Sequence, residues 1–509
     1  MRSNLKAASR AFSPNFVIQH WHSSFKNSVK AVRKSLRADC TERVSSICSE
    51  ASAAAKNGCW KSVYVFQRML CPSKRTSLCS IIDGDATYCS YKDIKNAFAI
   101  YFADILAGLE VDLTETIQSF HAEDQSVPSL FSDICDKVKD LMKGKGKNSA
   151  PGSDLLKYVV YYAFPFLIDR LQPVLDSANQ CSPPLQWLIS IVHPLYKGKG
   201  SPHFCPSYRD ILLANCSGKL FRQVPRNALL PHLNAYSLNT MCGGILARGT
   251  DFCNQYIRVA KSLAKKKGSS LCILFADVVC AFASVLRDLV FSNRISDASI
   301  AAFFAKIGCR QAVFGEFVGI VRGLSAMDFA NVPASLQKLV ASLAGKSFFT
   351  MRGSTKFVDY TNGTGAGNPL ADILFNFLIA RVLRYIDVKL HDACLEYFSG
   401  PASQNNVFGI DISEVQPFSS TSYFDDGAFF IEHPDPQHCM DNSILVTAIV
   451  IDGFVIHGFV LNFKVGKTAL MYKFGAINLE MFTIVFITLP THVFQFTQGL
   501  WALYMFLLA

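Results

Sequence analysis

Two adjacent carboxylates in Tyr423-Phe424-Asp425-Asp426 are the residues of this chain best placed to do chemistry. They lie between the polar stretch Ser419-Ser420-Thr421-Ser422 and the apolar run Gly427-Ala428-Phe429-Phe430-Ile431, which reads as strand, tight turn, strand. Like charges crowded at a hairpin tip cost free energy unless a cation neutralises them. Mg²⁺ suits such oxygen donors. A solvated Asp-Asp turn has the same local sequence, so the dipeptide alone does not decide.

A third carboxylate ends another strand. Residues 271–275 (Leu-Cys-Ile-Leu-Phe) are short and apolar, follow the polar Lys265-Lys266-Lys267-Gly268-Ser269-Ser270, and predict a buried strand that closes on Asp277. The residues after it, through Val285, can open a helix, so Asp277 suits either a metal ligand or a helix N-cap. Joined with Asp425 and Asp426, it completes a three-carboxylate set for two metal ions roughly 3.5–4 Å apart. Such a pair activates an attacking hydroxyl and stabilises a leaving phosphate oxygen.

These elements need a scaffold, and further segments point to one. Ala150-Pro151-Gly152-Ser153-Asp154 follows basic Lys143-Gly144-Lys145-Gly146-Lys147 and predicts a Pro-Gly turn with Ser153 or Asp154 capping a helix. An apolar stretch from Trp187 ends in Pro194-Leu195-Tyr196-Lys197, and Tyr208-Arg209-Asp210-Ile211 follows a loop. Lys197 and Arg209 are cations of the type that hold phosphate, and an arginine fork matches phosphate oxygens. After Gly363-Thr364-Gly365-Ala366-Gly367-Asn368-Pro369, apolar residues at 370, 373, 374, 377 and 378 form one helical stripe. The glycines permit close backbone approach. A dinucleotide loop is excluded, because its third glycine would fall on Asn368. Gly466-Lys467-Thr468 is no ATP-binding loop either, since the required upstream glycine falls on Leu461.

In this order the segments resemble the reverse transcriptases, most closely those of non-LTR (LINE-type) retrotransposons, over residues 143–471. Asp277, Ala281 and Phe282 resemble the family's first aspartate box; Tyr423, Asp425 and Asp426 its Tyr-x-Asp-Asp box. Residues 150–154 resemble APGxD, and Arg248-Gly249-Thr250-Asp251 the segment before the first aspartate strand. Residues 363–376 resemble the Gly-x-Pro-Leu…Leu-Phe-Asn box, and Leu461-Asn462…Lys467-Thr468 the last. The resemblance implies an α+β right-hand polymerase with palm and fingers, an antiparallel sheet with packed helices, preceded by a mainly helical segment. It implies that Asp277, Asp425 and Asp426 hold two Mg²⁺ ions, with Mn²⁺ as a possible substitute. It further implies nucleotide contacts from Lys197, Arg209, Gly367, Pro369 and Lys467 (or Lys464), and a Phe282 ring that excludes a 2′-hydroxyl. The partners implied are an RNA template, a DNA primer and dNTPs, and the location is intracellular and nuclear.

The sequence departs from the family at Met241 and Ala366, where it has glutamine, and at Asp210, where it has proline. A catalytically dead remnant that at most binds nucleic acid is therefore the alternative to a nucleotidyltransferase. The expected organisation is a helical connector over 1–140, fingers over 141–269, a palm over 270–472 and an atypical hydrophobic tail over 473–509. Neither an endonuclease nor a recognisable thumb is expected, which marks a truncated element.

Composition agrees with a phosphate-backbone binder. The 509 residues carry a net charge of +11, with basic clusters at 26–37, 143–147, 197–199 and 265–267. Half the residues are hydrophobic, enough for a sizeable core. Seventeen cysteines without any C-x-x-C pair, and no apolar leader at the N-terminus, predict reduced thiols in an intracellular protein. From Met481 onward no Asp, Glu, Lys or Arg occurs; the length permits a membrane contact, though Pro490, His492, Gln495 and Gln498 interrupt the span.

Overall fold

The computed structural model describes residues 15–70, 80–119, 128–146, 149–291, 300, 311–354, 356–397, 418–464, 466–475 and 483–486. The chain divides into two compact units, Met1–Leu78 and Cys79–Ala509. In the first, a long helix Asn15–Lys56 and a shorter one Trp60–Leu70 pack on each other.

The second unit is α+β. Its described strands are, in chain order, β1 (Ile81–Asp83), β2 (Ala86–Tyr88), β3 (Gly108–Val111), β4 (Ile189–Tyr196), β5 (Tyr208–Leu213), β6 (Met241–Cys242), β7 (Ser270–Asp277), β8 (Phe348–Met351), β9 (Phe357–Tyr360), β10 (Ser420–Tyr423), β11 (Asp426–His433), β12 (Ala469–Lys473) and β13 (Thr483–Phe486). The first two form a hairpin. The others form a six-stranded sheet ordered β13-β12-β7-β11-β10-β6 and a five-stranded sheet ordered β3-β9-β8-β4-β5. Residues 1–140, expected to be mainly helical, hold five described helices together with β1, β2 and β3.

The six-stranded sheet is mixed, because β6 runs parallel to β10 while its other pairs are antiparallel. Residues along β7 are buried on both faces, as the apolar run predicts, and side-chain alternation sorts them into two cores. Cys272, Leu274 and Ala276 face the main core, which also holds Phe375, Phe377 and Leu378 of helix Ala371–Asp392 and Val446 and Val450 of helix Pro436–Val455. Leu271 and Ile273 face the other way, with Ala428 and Phe430 of β11, against Ala260 and Ala264 of helix Thr250–Lys267. Helix Pro436–Val455 is long and apolar enough to cross a membrane, but half of it is buried against this sheet and helix Ala371–Asp392, as a core helix is. Within the expected tail, β13 extends the sheet beyond β12; of the stretch from Met481 onward, on which the membrane alternative rests, all but residues 483–486 lie outside the described residues.

The five-stranded sheet joins the site through the glycine loop 363–367. Arg287 is buried and donates to the carbonyls of Gly363 (2.7 Å), Gly345 (3.0 Å) and Tyr360 (3.2 Å). Its guanidinium lies over the Tyr360 ring, 4.7 Å from the centroid. A buried charge needs such saturation by acceptors. The loop's other attachments are main-chain: Gly363 donates to Val285 and Thr364 to Phe282.

A candidate three-carboxylate site

Strand register brings the acidic residues together. In the antiparallel β7·β11 ladder, Asp426 stands directly opposite Asp277, a position where side chains project to the same face about 4.5–5.5 Å apart. That face is the one carrying Leu271, Ile273, Ala428 and Phe430, so both carboxylates lie just past the end of an apolar cluster. Phe424 and Asp425 form the two-residue turn between β10 and β11, with Tyr423 paired to Asp426. All three sequence-predicted acids therefore meet at one sheet end.

Asp277 does not cap a helix: the N-cap of the short helix Ala281–Ser284 is Cys280. Both carboxylate oxygens are held from the last sequence box instead. Asn462 Nδ2 donates to Oδ2 at 2.9 Å and Lys467 Nζ to Oδ1 at 2.5 Å. Asn462 also donates its backbone N–H to the Asp277 carbonyl at 2.7 Å, and the Asp277 N–H donates to Thr468 Oγ1 at 3.3 Å. With its side chain 19 % exposed, Asp277 is the most fixed member of the trio. Lys464, the alternative lysine, is exposed and lies within electrostatic reach of Cys280.

Burial raises the Asp425 carboxyl above its usual range, with the Asp426 and Asp277 charges adding and Lys467 opposing. Burial also raises Asp426, again helped by Asp277 and opposed by Lys467. Asp426 is nevertheless open to solvent at its surface. Among the described residues, ionising three acids beside the Lys467 ammonium leaves the cluster short of positive charge.

The turn is positioned from beneath. Phe424 has φ +54, the left-handed region that glycine ordinarily occupies. Its ring lies against Gly243 and Gly244, where an added Cβ would fall 2.8 Å and 3.0 Å from ring carbons. Asn376 Nδ2 ties this segment to helix Ala371–Asp392 by donating to Gly243 O at 3.0 Å. Arg248 donates to the Leu238 carbonyl at 2.9 Å and accepts, through its own carbonyl, from Gly243 N–H.

The remaining predicted residues divide. Phe282 stacks on Phe375, with centroids 4.6 Å apart, and approaches Phe424 at 6.1 Å, making an aromatic floor beside the acids. Gly367, φ +101, crosses so near β5 that a Cβ would sit 2.7 Å from Leu212 O. Pro369 is half-buried in the turn that leads into helix Ala371–Asp392. Lys197 Nζ donates to Pro206 O at 2.7 Å. Burial holds its ammonium below the ordinary value; Cys280, three residues after Asp277, opposes that shift, and Arg209 adds to it. Arg209 itself is exposed on β5.

Ser153 and Asp154 do not cap a helix. Helix Tyr158–Ala163 has Lys157 at its N-cap, without a side-chain bond. Ser153 Oγ and Asp154 N–H donate instead to Asn215 Oδ1, and Gly152 is pressed against the same residue. This turn is a long-range clasp on helix Cys216–Tyr236, whose N-cap is Asn215. Asn462, Thr468, Asn376 and Arg287 are structural partners of the site that single-residue chemistry did not single out. Asn462, Thr468 and Asn376 are marked in the sequence only as members of the resemblance boxes, and Arg287 carries no sequence signal beyond a charge beside an apolar run.

No protein-family model matches this chain, and no curated protein matches it.

Proposed function

We propose that this chain is an RNA-directed DNA polymerase that adds dNTPs to a primer 3′-hydroxyl, as its resemblance to LINE-type reverse transcriptases implies. The observation that carries the proposal is the β7·β11 register, which sets Asp426 across from Asp277 with Asp425 beside them. Under this reading the six-stranded sheet and its helices are the palm, and the five-stranded sheet belongs to fingers that draw β3, β8 and β9 from outside residues 141–269.

The donor set fits Mg²⁺, with Mn²⁺ as substitute: carboxylate oxygens only, desolvated, mutually repelling, and short of positive charge. Asp277, Asp425 and Asp426 would hold the ions, which when bound supply an activated hydroxyl and a stabilised leaving oxygen. Lys467 neutralises Asp277 in this structure and would have to release it to admit a metal ion. Phe282, backed by Phe375, sets an apolar wall where a ribose 2′-hydroxyl would find no hydrogen-bond partner. Lys197 and Arg209 supply positive charge to a triphosphate from the neighbouring sheet. The glycine loop ending at Gly367 and Pro369 offers main chain to the template strand.

Primer extension on an RNA template is expected to require Mg²⁺ and to disappear in Asp425→Ala. A fully active Asp425→Ala variant refutes the assignment. One observation favours the non-catalytic alternative: Met241 is buried in β6, and Ala366 engages β5 only through its carbonyl, 2.7 Å from Leu212 N. Neither position offers the polar side chain that the family places there. Filter binding titrated against salt, run beside extension, separates the two. Salt-sensitive binding with no extension, even with dNTPs and Mn²⁺, identifies a nucleic-acid-binding remnant.

A further inference from the structure

The other end of β11 carries a different donor set. His433 closes the strand, Asp435 is the N-cap of helix Pro436–Val455, and His438 lies in that helix's first turn. One ligand atom from each of the three residues lies within 4.8 Å of the others.

The local sequence explains the convergence. Asp435 stands between Pro434 and Pro436, and a residue before proline is confined to extended backbone, matching its φ −83 and ψ 127. That conformation folds the helix start back over the strand end. His433 Nδ1 lies 3.2 Å from the Asp435 carbonyl, and the tautomer that donates Nδ1–H to it leaves the Nε2 lone pair available to a ligand. The Asp435 carboxylate accepts the His438 N–H at 3.1 Å and is also bonded to the His438 ring. The two imidazoles stack with centroids 4.9 Å apart. Helix capping needs Asp435 alone, so it does not account for two imidazoles gathered on it.

We propose that His433, Asp435 and His438 form a site for a first-row transition-metal cation of the Zn²⁺ class. Two imidazoles and one carboxylate are borderline donors that favour Zn²⁺ over Mg²⁺. The arms, about 2.0–2.2 Å each, require the three ligand atoms to close only slightly from their present spacing. Exposed His438 has the freedom to do so. Water fills the fourth position. The ion pins the end of β11 to the helix that packs across β7 and β11. Seven residues of strand, roughly 24 Å, separate it from Asp426, so the site is independent of the polymerase proposal.

The test uses the full chain, purified free of metal, with Co²⁺ as the spectroscopic probe. Wild type should take up one Co²⁺ with an N/O-ligand visible spectrum, displaced by Zn²⁺ and not by excess Mg²⁺. His433→Ala and His438→Ala should each weaken it by at least about tenfold, the loss seen even for indirect ligand partners. His391→Ala, which alters an exposed histidine paired with Glu396 elsewhere, should bind as wild type. A wild-type spectrum dominated by thiolate charge transfer, or Co²⁺ uptake unchanged in both His433→Ala and His438→Ala, overturns the proposal. Circular dichroism of the variants, expected to match wild type, separates loss of the site from loss of the fold.

Discussion

Replacing Gly244 by alanine should impair the acidic hairpin without touching an acidic residue. Gly244 has φ +68, and an added Cβ would lie 2.6 Å from Asn376 Nδ2 and 3.0 Å from Phe424 Cε1. The backbone term for a non-glycine residue there is about 1–2 kcal/mol. Crowding in a packed site adds about 1–3 kcal/mol. A matched control isolates the second term: Gly268, φ +69, ends helix Thr250–Lys267 with nothing within 4 Å of its added Cβ. Gly268→Ala should therefore cost only about 1–2 kcal/mol, and Gly244→Ala about 2–5 kcal/mol. The function should separate more sharply. Relief of the Gly244 clash shifts the Asn376 amide that holds Gly243 O and presses on the Phe424 ring in the turn that carries Asp425 and Asp426; displacements near 1 Å typically cost about 100-fold in rate. Urea denaturation measures the first effect, and primer extension at saturating Mg²⁺ the second. Extension should fall about 10–100-fold in Gly244→Ala and stay at wild-type level in Gly268→Ala. If the two variants prove equally stable and equally active, the contact between Phe424 and the glycine pair does not set the position of the hairpin, and the reasoning fails.

Asn462→Ala removes one hydrogen bond to a largely buried carboxylate, worth about 1.5–3 kcal/mol. It should lower both stability and extension, and an unchanged Mg²⁺ titration would count against Asn462 as the residue that orients Asp277. Asp426→Asn should instead raise the melting temperature at pH 7 in the presence of a chelator while abolishing extension. The folded state raises the Asp426 pKa, so its ionised form costs stability as pH climbs past that pKa; a lower melting temperature contradicts this. His457, buried and bonded through Nδ1 to Gly453 O, has its pKa pushed down from 6.5 to about 3 by burial. The unfolded chain therefore takes up a proton first, and stability should fall as pH drops from 6.5 toward 3, by up to about 1.4 kcal/mol per pH unit from this group. His457→Gln should flatten that slope, measured by urea denaturation across the range; an unaltered slope assigns the acid sensitivity elsewhere.

Local patterns were legible where the chemistry is local. The apolar run before Asp277, the hairpin around Phe424 and Asp425, and the stripe after Pro369 became β7, β10·β11 and helix Ala371–Asp392. Each depends on alternation or on a 3.6-residue repeat within a few residues. Ser153 and Asp154 clasp Asn215, about sixty residues away, so no local pattern reveals their partner. Arg287 is the same case. Nothing beside it in sequence shows that four separate carbonyls, among them Gly345 and Gly363, converge on its guanidinium.

By itself the sequence determined which residue types are present and which short segments carry them: three acids at strand ends, an aromatic after the first, a glycine loop and a lysine box. Only the tertiary structure decided that Asp277 and Asp426 are partners. Their strands lie about 150 residues apart, and a slip of one residue in the β7·β11 ladder would have sent one carboxylate to the opposite face. What holds that register is burial on both faces. Leu271 and Ile273 must meet Ala428 and Phe430 on one side while Cys272 and Leu274 enter the main core on the other, and the carboxylates align as a consequence.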